Sequence, residues 1–452
     1  MAYDNRDKID FGKERIPRLF GLIFIPTLLG MLADVAFILT DGIFVGHGIG
    51  SLGLASINLV APTMMAITGL GVMFGMGCAI LAAIHMAKNN IKAARINVTQ
   101  AFLASIIFSL AVVALFYTFP STILGWLGVS EELVPSTMEY FLWFVPTCFF
   151  IMISIVGSFV IRLDGSPKYS MYATVIPSLI NIGLDWVFIY PCGWGLKGAA
   201  LATDIGTMIG AIMTFYYMFF RTNTLGFYPL KFSKTSLRLS LRNIGYMARA
   251  GFPGLIGEAA ISIMILAGNL SFGHYLSDTG IAAFSVICYI FPVVINVYIA
   301  VTAAAQPIIS YNYGAGNMAR AKGTLFFSTL VSISFSALVL LVFCITPKTI
   351  ISIFLTPDQQ AFAMACSGLP IFAAGFIPMA YNLSVIGYLQ SIEQSVKSVF
   401  LTLLRGFVLV IGAFAFLPHV LNENGLWLAI PVSEGLTAIF CTLVFFKKRG
   451  KA

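Results

Sequence analysis

Apolar runs of about 20 residues recur along the whole chain, and short polar segments separate them. Each run is long enough to cross a hydrocarbon core of about 30 Å as an α-helix, which rises about 1.5 Å per residue. The pattern predicts an all-α polytopic membrane protein. Its twelve predicted transmembrane helices, numbered as spans 1 to 12, lie near residues 19–44, 55–81, 101–125, 140–161, 171–191, 196–220, 248–272, 282–309, 325–346, 366–388, 398–418 and 426–446.

Basic residues are distributed unevenly between the two sides of this predicted topology. The segments on the side of the N-terminus carry 24 of the 26 Lys and Arg residues, with Lys397 and Arg405 counted in the loop before span 11. Only Lys197 and Lys348 fall outside these segments. Because cytoplasmic loops retain Lys and Arg, the asymmetry places both termini in the cytoplasm and agrees with an even number of spans. We therefore expect a multi-pass protein of the cell or plasma membrane.

The composition excludes several classes of function. Only 10% of the residues are charged, against about 25% in soluble domains, so a soluble enzyme or a nucleic-acid-binding domain is excluded. The net charge of +8 arises from the loops on one side and does not indicate nucleic acid. The seven cysteines occur singly, so neither a metal site nor a disulfide framework is predicted. We expect no catalysis and no cofactor, with the lipid bilayer as the surrounding partner.

The two halves of the chain repeat each other. Matched residues in the two halves differ by 227 positions: Pro26 and Pro253, Gly46 and Gly273, His47 and His274, Asn90 and Asn317. Two six-helix bundles in the same orientation, joined by a basic linker, are typical of transporters with a cavity between the halves. We predict a cytoplasmic tail at 1–18, an N-terminal lobe at 19–220, a basic cytoplasmic linker at 221–247, a C-terminal lobe at 248–446 and a cytoplasmic tail at 447–452.

Six acidic side chains fall within the predicted spans. A charge inside hydrocarbon costs several kcal/mol, so each of them is a candidate functional group. Four belong to the first half, which concentrates the ionisable chemistry there. The six are Asp34, Asp41, Asp185, Asp204, Glu258 and Glu434.

Three spans bring oxygen-bearing side chains to a similar depth near the outer face. Asp41 lies near the outer end of span 1. Asn181 and Asp185 share one face of span 5, and Thr203 lies in span 6. This set of oxygens suits a bound Na⁺ or a shared proton, since neighbouring carboxylates raise each other's proton affinity. Capping or pairing near the surface is the alternative role for Asp185.

Three other acids are candidates for contact with a substrate. Asp34 lies seven residues before Asp41, about 10 Å deeper on roughly the same helical face. Glu258 is the only acid deep in span 7, and Asp204 lies about two turns below the outer surface. A surface cap or ion pair is the alternative role for Asp204 and for Glu434.

Several motifs together resemble the multidrug and toxic compound extrusion (MATE) transporters. The segment Thr40-Asp-Gly-Ile-Phe-Val-Gly46 is similar to the first helix of that family. Asn181-Ile-Gly-Leu-Asp185 and Lys197-Gly-Ala-Ala-Leu-Ala-Thr203 are similar to its fifth and sixth helices. Gln306-Pro-Ile-Ile-Ser-Tyr-Asn-Tyr-Gly-Ala-Gly-Asn317 is similar to its eighth helix and the following loop. The resemblance covers spans 1 to 12.

The resemblance implies an antiporter that expels drugs and organic cations in exchange for H⁺ or Na⁺. By residue-to-residue match it implies a cation-coupling site at Asp41, Asn181, Asp185 and Thr203, and a bend of the first helix at Pro26. The chain departs from the pattern in two places. Ile38 stands where many relatives have Asn. Glu258 is about one turn closer to Pro253 than the seventh-helix Glu of another branch.

Two other functions remain open from the sequence. A flippase or an exporter of one dedicated metabolite would belong to the same superfamily. Flippases of lipid-linked sugars tend to line their cavity with several Arg or Lys, and the sequence places none at a span centre. A channel or receptor without transport is the third possibility, which transport against a gradient would exclude. We expect a small, cationic or amphipathic substrate and a functional monomer.

Overall fold

The computed structural model describes residues 9–129, 131, 133–231, 233–356 and 360–446. The chain is 88% helical, and no strand occurs in these ranges. The all-α membrane fold predicted from the apolar runs is therefore confirmed. The first eight residues of the predicted N-terminal tail and the whole predicted tail at 447–452 lie outside the described residues.

The described helices account for the predicted number of spans. Ten are long and apolar enough to cross a membrane, and the pair Val134–Phe144 and Thr147–Leu163, bent by 47°, forms another. The helix Ser395–Phe445 has 51 residues, which at about 1.5 Å each is more than twice a hydrocarbon core of about 30 Å. It is broken at Asn422, where φ is 51° and ψ is −133°, so it supplies two spans.

The fifteen α-helices of the described chain are numbered in order, and two π-helical segments, Tyr217–Arg221 and Leu404–Leu409, interrupt the series. The helices are α1 (Ile16–Gly48), α2 (Ser51–Ala87), α3 (Ile91–Thr118), α4 (Pro120–Trp126), α5 (Val134–Phe144), α6 (Thr147–Leu163), α7 (Pro167–Ile189), α8 (Gly195–Tyr216), α9 (Lys234–Gly314, broken at Ser277), α10 (Met318–Ile345), α11 (Pro347–Ile351), α12 (Gln360–Ala374), α13 (Phe376–Ser391), α14 (Ser395–Leu403) and α15 (Val410–Phe446).

The chain divides into two compact units, and the division falls inside α9. The first unit comprises Met1–Leu255 and Ser310–Gly316, and the second comprises Ile256–Ile309 and Asn317–Ala452. The first unit contains α1 to α8, with α7 packed against both α1 and α8. In the second unit, α13 packs against α10 and α15. The first π-helical segment ends at Arg221 and α9 begins at Lys234, so residues 222–233 separate the two helical elements.

Matched helices show that the sequence repeat is also a structural repeat. The helices α3 and α10 both have 28 residues, and their first residues, Ile91 and Met318, are 227 positions apart. Both helices are capped by an Asn, because Asn90 Oδ1 accepts the N–H of Ala93 at 3.2 Å and Asn317 Oδ1 accepts that of Arg320 at 3.1 Å. Each unit therefore contains a 28-residue helix with an Asn cap at the equivalent position of the repeat.

The helix α10 illustrates how a span distributes its side chains. Serines at intervals of four, Ser328, Ser332 and Ser336, are buried, and small residues of this kind allow close helix packing in a membrane. Large apolar side chains on the opposite side, such as Phe326 and Leu338, are exposed. Exposed apolar side chains on a span are expected to face lipid, so the span needs no polar outer face.

Candidate functional site

Four predicted residues of the first unit come together between α1, α7 and α8. Asp185, Asn181 and Thr203 are almost completely buried, with 0%, 3% and 4% of their surface exposed. The Nδ2 of Asn181 donates to Thr203 Oγ1 at 3.4 Å, which joins α7 to α8. Asp41 on α1 lies within electrostatic reach of Asp185. We call Asp41, Asn181, Asp185 and Thr203 the carboxylate cluster.

The carboxylate cluster holds four buried oxygens that have no hydrogen-bond partner among the described residues. These are Asp41 Oδ1, Asn181 Oδ1 and both carboxylate oxygens of Asp185. A buried polar atom that lacks a partner costs about 1 to 3 kcal/mol, and more when it is charged. A proton or a small cation would supply the missing partner to several of these atoms at once. The chemistry of the four oxygens therefore fits H⁺ or Na⁺.

Tyr140 on α5 is a neighbour of the carboxylate cluster that the sequence does not single out. Its side chain is buried, and its hydroxyl lies within electrostatic reach of both Asp41 and Asp185. The ring stacks on Phe144 with centroids 5.6 Å apart, which fixes its direction. A tyrosine at the end of a span resembles the aromatic residues that anchor helices at the membrane surface, so its sequence context gives no specific signal.

The substrate-binding candidates of the first unit lie outside the carboxylate cluster. Asp34 is exposed on α1, and its Oδ1 accepts a hydrogen bond from Ser178 Oγ at 3.3 Å. Asp204 on α8 is partly buried, and its Oδ1 accepts the hydroxyl of Thr147 at 3.1 Å. The two carboxylates are therefore already hydrogen-bonded, in contrast to Asp185.

Pro26 is buried in the first third of α1, which continues as a helix on both sides of it. Proline has no N–H, so the carbonyl of Leu22 loses its helical hydrogen bond. A helix is most easily bent at such a position. The structure thus contains the element needed for a bend in α1 between the N-terminus and Asp41.

The second unit contains a buried ion pair between two of its spans. Arg405 Nε donates to Glu434 Oε1 at 2.6 Å, and the two side chains are 9% and 2% exposed. Asn382 on α13 donates through Nδ2 to Glu434 Oε2 at 2.8 Å and to the Glu434 carbonyl at 2.9 Å. Glu434 is therefore held by both charge and hydrogen bonds.

The position of Arg405 corrects the charge count made from the sequence. Arg405 lies in the π-helical segment Leu404–Leu409 and is buried, about 15 Å along the helix from Ser395, so it does not belong to a loop. Arg405 also lies only a few residues from the middle of the helical stretch between Ser395 and the break at Asn422, contrary to the expectation that no Arg or Lys lies at a span centre. Its partner Glu434 explains how the charge is tolerated, since buried charges are normally paired.

No three His, Cys, Asp or Glu side chains in the described ranges converge in an arrangement that could hold a metal ion.

Glu258 on α9 is partly buried in the second unit. The structure therefore brings together Asp41, Asn181, Asp185 and Thr203, while Asp34 and Asp204 have separate partners.

A comparison with known families decides the membership of the chain. The MatE family model matches residues 26–187 and again residues 253–414, which together are more than half of the chain. The chain belongs to the MatE family. The second matched segment begins and ends 227 residues after the first, which is the offset of the sequence repeat. The repeat, the family resemblance and the multi-pass membrane fold are therefore confirmed.

Relatives of this MatE chain align over nearly its full length. It is 22% identical to a FAD transporter of Shewanella oneidensis over 422 residues, which cover 92% of this chain and 91% of the relative. It is also 22% identical to the multidrug export protein MepA of Staphylococcus aureus, strain N315, with 94% and 93% covered. Both relatives are described as transport or export proteins.

A solved structure confirms the fold of this MatE chain. The outward-facing conformation of a multidrug resistance MATE family transporter of the MOP superfamily superposes with a TM-score of 0.89. The two chains are 22% identical, and 96% of each is covered. At this identity the similarity establishes the two-lobed transporter fold.

Proposed function

We propose that the chain is a secondary active antiporter that exports drugs or organic cations in exchange for H⁺ or Na⁺ by alternating access. The observation that carries this proposal is the set of buried, unpartnered oxygens of Asp41, Asn181 and Asp185. Ionisable groups within a span mark ion pathways in many transporters, and the ionisable members of this set, Asp41 and Asp185, occupy the adjoining helices α1 and α7. The chain needs no cofactor besides the coupling ion, and it acts as a monomer.

The coupling step follows from the charge of the carboxylate cluster. Binding of one proton or Na⁺ changes the local charge by one unit, and α1 responds by bending at Pro26. A ligand shifts a conformational equilibrium only through its different affinities for the two states, so the cation and the substrate must favour different states of α1. Linkage then requires each to weaken the binding of the other by the same factor.

Asp34 supports a cationic substrate. An exposed carboxylate on a membrane-spanning helix cannot face lipid without a large cost in free energy, so Asp34 faces a water-filled cavity. A carboxylate in such a cavity attracts a cation. The chain has 40 Phe and 18 Met residues, and those that face a cavity would give it walls that adapt to flat apolar cations.

Transport measurements in proteoliposomes test the proposal. We expect purified protein to move ethidium, a monocation, against its concentration gradient when a proton gradient or a sodium gradient is imposed. The two gradients are imposed separately, so that the coupling ion is identified by the one that drives transport. Ethidium movement that only runs down its own gradient, with no response to either ion, would indicate a channel.

An exporter of one dedicated metabolite is the second candidate, because one relative is described as a FAD transporter. FAD carries a negatively charged diphosphate, which an Arg or Lys in the cavity would bind. The buried Arg405 does not offer a free positive charge, since Glu434 neutralises it. Measuring FAD and ethidium in the same vesicles distinguishes the two functions, and transport of FAD alone would favour the metabolite exporter.

Replacement of Glu258 by Gln is expected to raise the KM for ethidium several-fold while the response to ion gradients remains. The reason is that Glu258 belongs to the second unit, whereas the carboxylate cluster belongs to the first. An uncharged substrate of similar size provides the control, because its KM should not change. A Glu258→Gln protein that binds ethidium normally but no longer responds to either gradient would instead assign Glu258 to coupling.

A further inference from the structure

The first fourteen residues of α9 are fixed to the first unit along one face. Asn243 Nδ2 donates to Asn97 Oδ1 and Gln100 Oε1 on α3, and Gln100 Nε2 donates to Ser240 Oγ at 2.8 Å. Met247, on the same face, is completely buried. These contacts determine which side of the helix is turned away from the protein.

Close packing of backbones holds the same helix one turn further on. A Cβ added to Gly251 would overlap the carbonyl oxygen of Met73 on α2. A Cβ added to Gly77 on α2 would overlap the carbonyl oxygen of Met247. Only glycine fits at these two positions, so α9 cannot rotate about its axis without losing the contact.

The residues before α9 are also anchored. The carboxylate of Asp164, at the end of α6, accepts the backbone N–H groups of Asn223, Thr224 and Leu225 at 2.7, 2.8 and 2.9 Å. Arg95 donates through Nε and Nη2 to the carbonyls of Gly226 and Phe227 at 2.8 and 2.7 Å. Asp164 at the end of α6 and Arg95 on α3 thus hold the segment that leads into α9 against the first unit.

The opposite face of the helix is basic and exposed. Lys234, Arg238 and Arg242 follow each other at intervals of four residues, and all three side chains are exposed. Residues at this spacing lie one above the other on a helix, so the three charges form a stripe. Leu237 and Leu241, each 63% exposed, run beside it. We call these five residues the basic face.

Within the described part of the chain, the charges of the basic face have no acidic partners. The sequence contains no Asp or Glu between residues 205 and 257. None of the three basic side chains forms a salt bridge with a residue of the described ranges. Arg95 differs from them, because its guanidinium is used to hold the preceding segment. The basic face is therefore a site of uncompensated positive charge.

The length of the helix places the basic face at the membrane surface. The segment Lys234–Ser277 has 44 residues, about 66 Å, whereas the hydrocarbon core is about 30 Å thick. The apolar part of this segment begins near residue 248, so the basic face lies just outside the core, at the level of the lipid headgroups. Exposed leucines beside Lys and Arg are typical of helices that lie at this boundary.

We propose that the basic face is a binding site for anionic phospholipids of the surrounding leaflet. Lys234, Arg238 and Arg242 contact the headgroup phosphates, while Leu237 and Leu241 contact the upper part of the acyl chains. Clustered Lys and Arg directly beside a transmembrane helix attract anionic lipids in this way. Because α9 continues as a span that joins the two units, the bound lipids lie against the start of the helix that connects them.

Stabilisation by added lipid tests this proposal on the full chain in detergent. Phosphatidylglycerol is expected to raise the thermal unfolding midpoint of the wild type at far lower concentration than phosphatidylcholine. In the triple variant Lys234→Gln, Arg238→Gln, Arg242→Gln, the phosphatidylglycerol concentration needed should increase about 100-fold, because each basic residue near the surface contributes about fivefold. In each single variant, the phosphatidylglycerol concentration needed should increase about fivefold.

Two matched variants distinguish a lipid site from a general effect of charge or misfolding. The variant Lys13→Gln, Lys322→Gln, Lys348→Gln removes the same charge from exposed positions elsewhere and should bind phosphatidylglycerol as the wild type does. The variant Arg238→Lys, Arg242→Lys keeps the charge and should retain the preference for phosphatidylglycerol over phosphatidylcholine. The proposal would be overturned if the Gln triple variant kept the wild-type preference for phosphatidylglycerol. It would also be overturned if soluble glycerol phosphate stabilised the wild type at the same concentration, since that result indicates a site for free phosphate.

Discussion

Transport of ethidium should fall at least tenfold, to near background, when Asp41 is replaced by Asn. Asn keeps the size of the side chain but cannot release a proton or carry the charge that attracts Na⁺. The effect follows from the place of Asp41 among the unpartnered oxygens of the carboxylate cluster. The measurement is ion-driven transport in proteoliposomes that contain equal amounts of inserted protein. Wild-type transport by the variant at equal protein levels would contradict the assignment.

Asp185→Asn should reproduce most of this loss, and the double variant should transport little less than either single variant. Residues that act as one unit are strongly non-additive, because removal of one disables the others. Asp204→Asn is the control for cation dependence, which this variant should keep, since Asp204 is an intramembrane acid outside the carboxylate cluster and is hydrogen-bonded to Thr147. Ethidium affinity is measured in parallel, with and without sodium and at low and high pH. If the Asp185→Asn protein keeps the full cation dependence, Asp185 has only a structural role.

Each part of the predicted carboxylate cluster is a local signal in the sequence. An acid in an apolar run stands out at a single position, and Asn181 and Asp185 share a face by their spacing alone. What spacing cannot supply is the distance between helices. The hydrogen bond from Asn181 to Thr203, and the separate partners of Asp34 and Asp204, depend on how α1, α7 and α8 pack.

The ion pair of the second unit is hidden from the sequence for a similar reason. Arg405 and Glu434 are 29 residues apart and lie on different spans, so no periodic pattern connects them. Arg405 also occurs near the edge of an apolar run, where a basic residue ordinarily belongs to a loop. The repeat gives no help, because the position 227 residues before Arg405 is Ser178 and that before Glu434 is Thr207.

The start of α9 shows a limit of apolar patterns in predicting helix ends. Residues 234–247 are polar enough to be assigned to the linker, yet they are helical. Ser233 Oγ caps the helix by accepting the N–H of Ser236 at 3.1 Å, and contacts with α3 then stabilise it. In the same way, α3 begins at Ile91, about three turns before the apolar run that predicts span 3.

Removal of either partner of the buried ion pair should destabilise the second unit strongly. Glu434→Met leaves the Arg405 guanidinium buried without a counter-charge, and such a change costs about 3 to 5 kcal/mol. Arg405→Met leaves Glu434 with Asn382 as its remaining side-chain partner and should also be destabilising. The measurement is thermal unfolding in detergent by tryptophan fluorescence, because Trp427 is buried in the core of this unit. Glu423→Gln, a partly exposed acid of the same unit, should have little effect.

The double variant Arg405→Met, Glu434→Met should recover most of the stability lost in the single variants. Two apolar side chains of similar volume leave no uncompensated charge, and replacement of a whole buried ion pair is often neutral or stabilising. Asn382 would retain its hydrogen bond to the carbonyl of residue 434, which does not depend on the side chain there. A double variant as unstable as the worse single variant would mean that the pair contributes net stability through its fit to the π-helical segment. A recovered fold with impaired transport would assign Arg405 and Glu434 a part in the transport cycle.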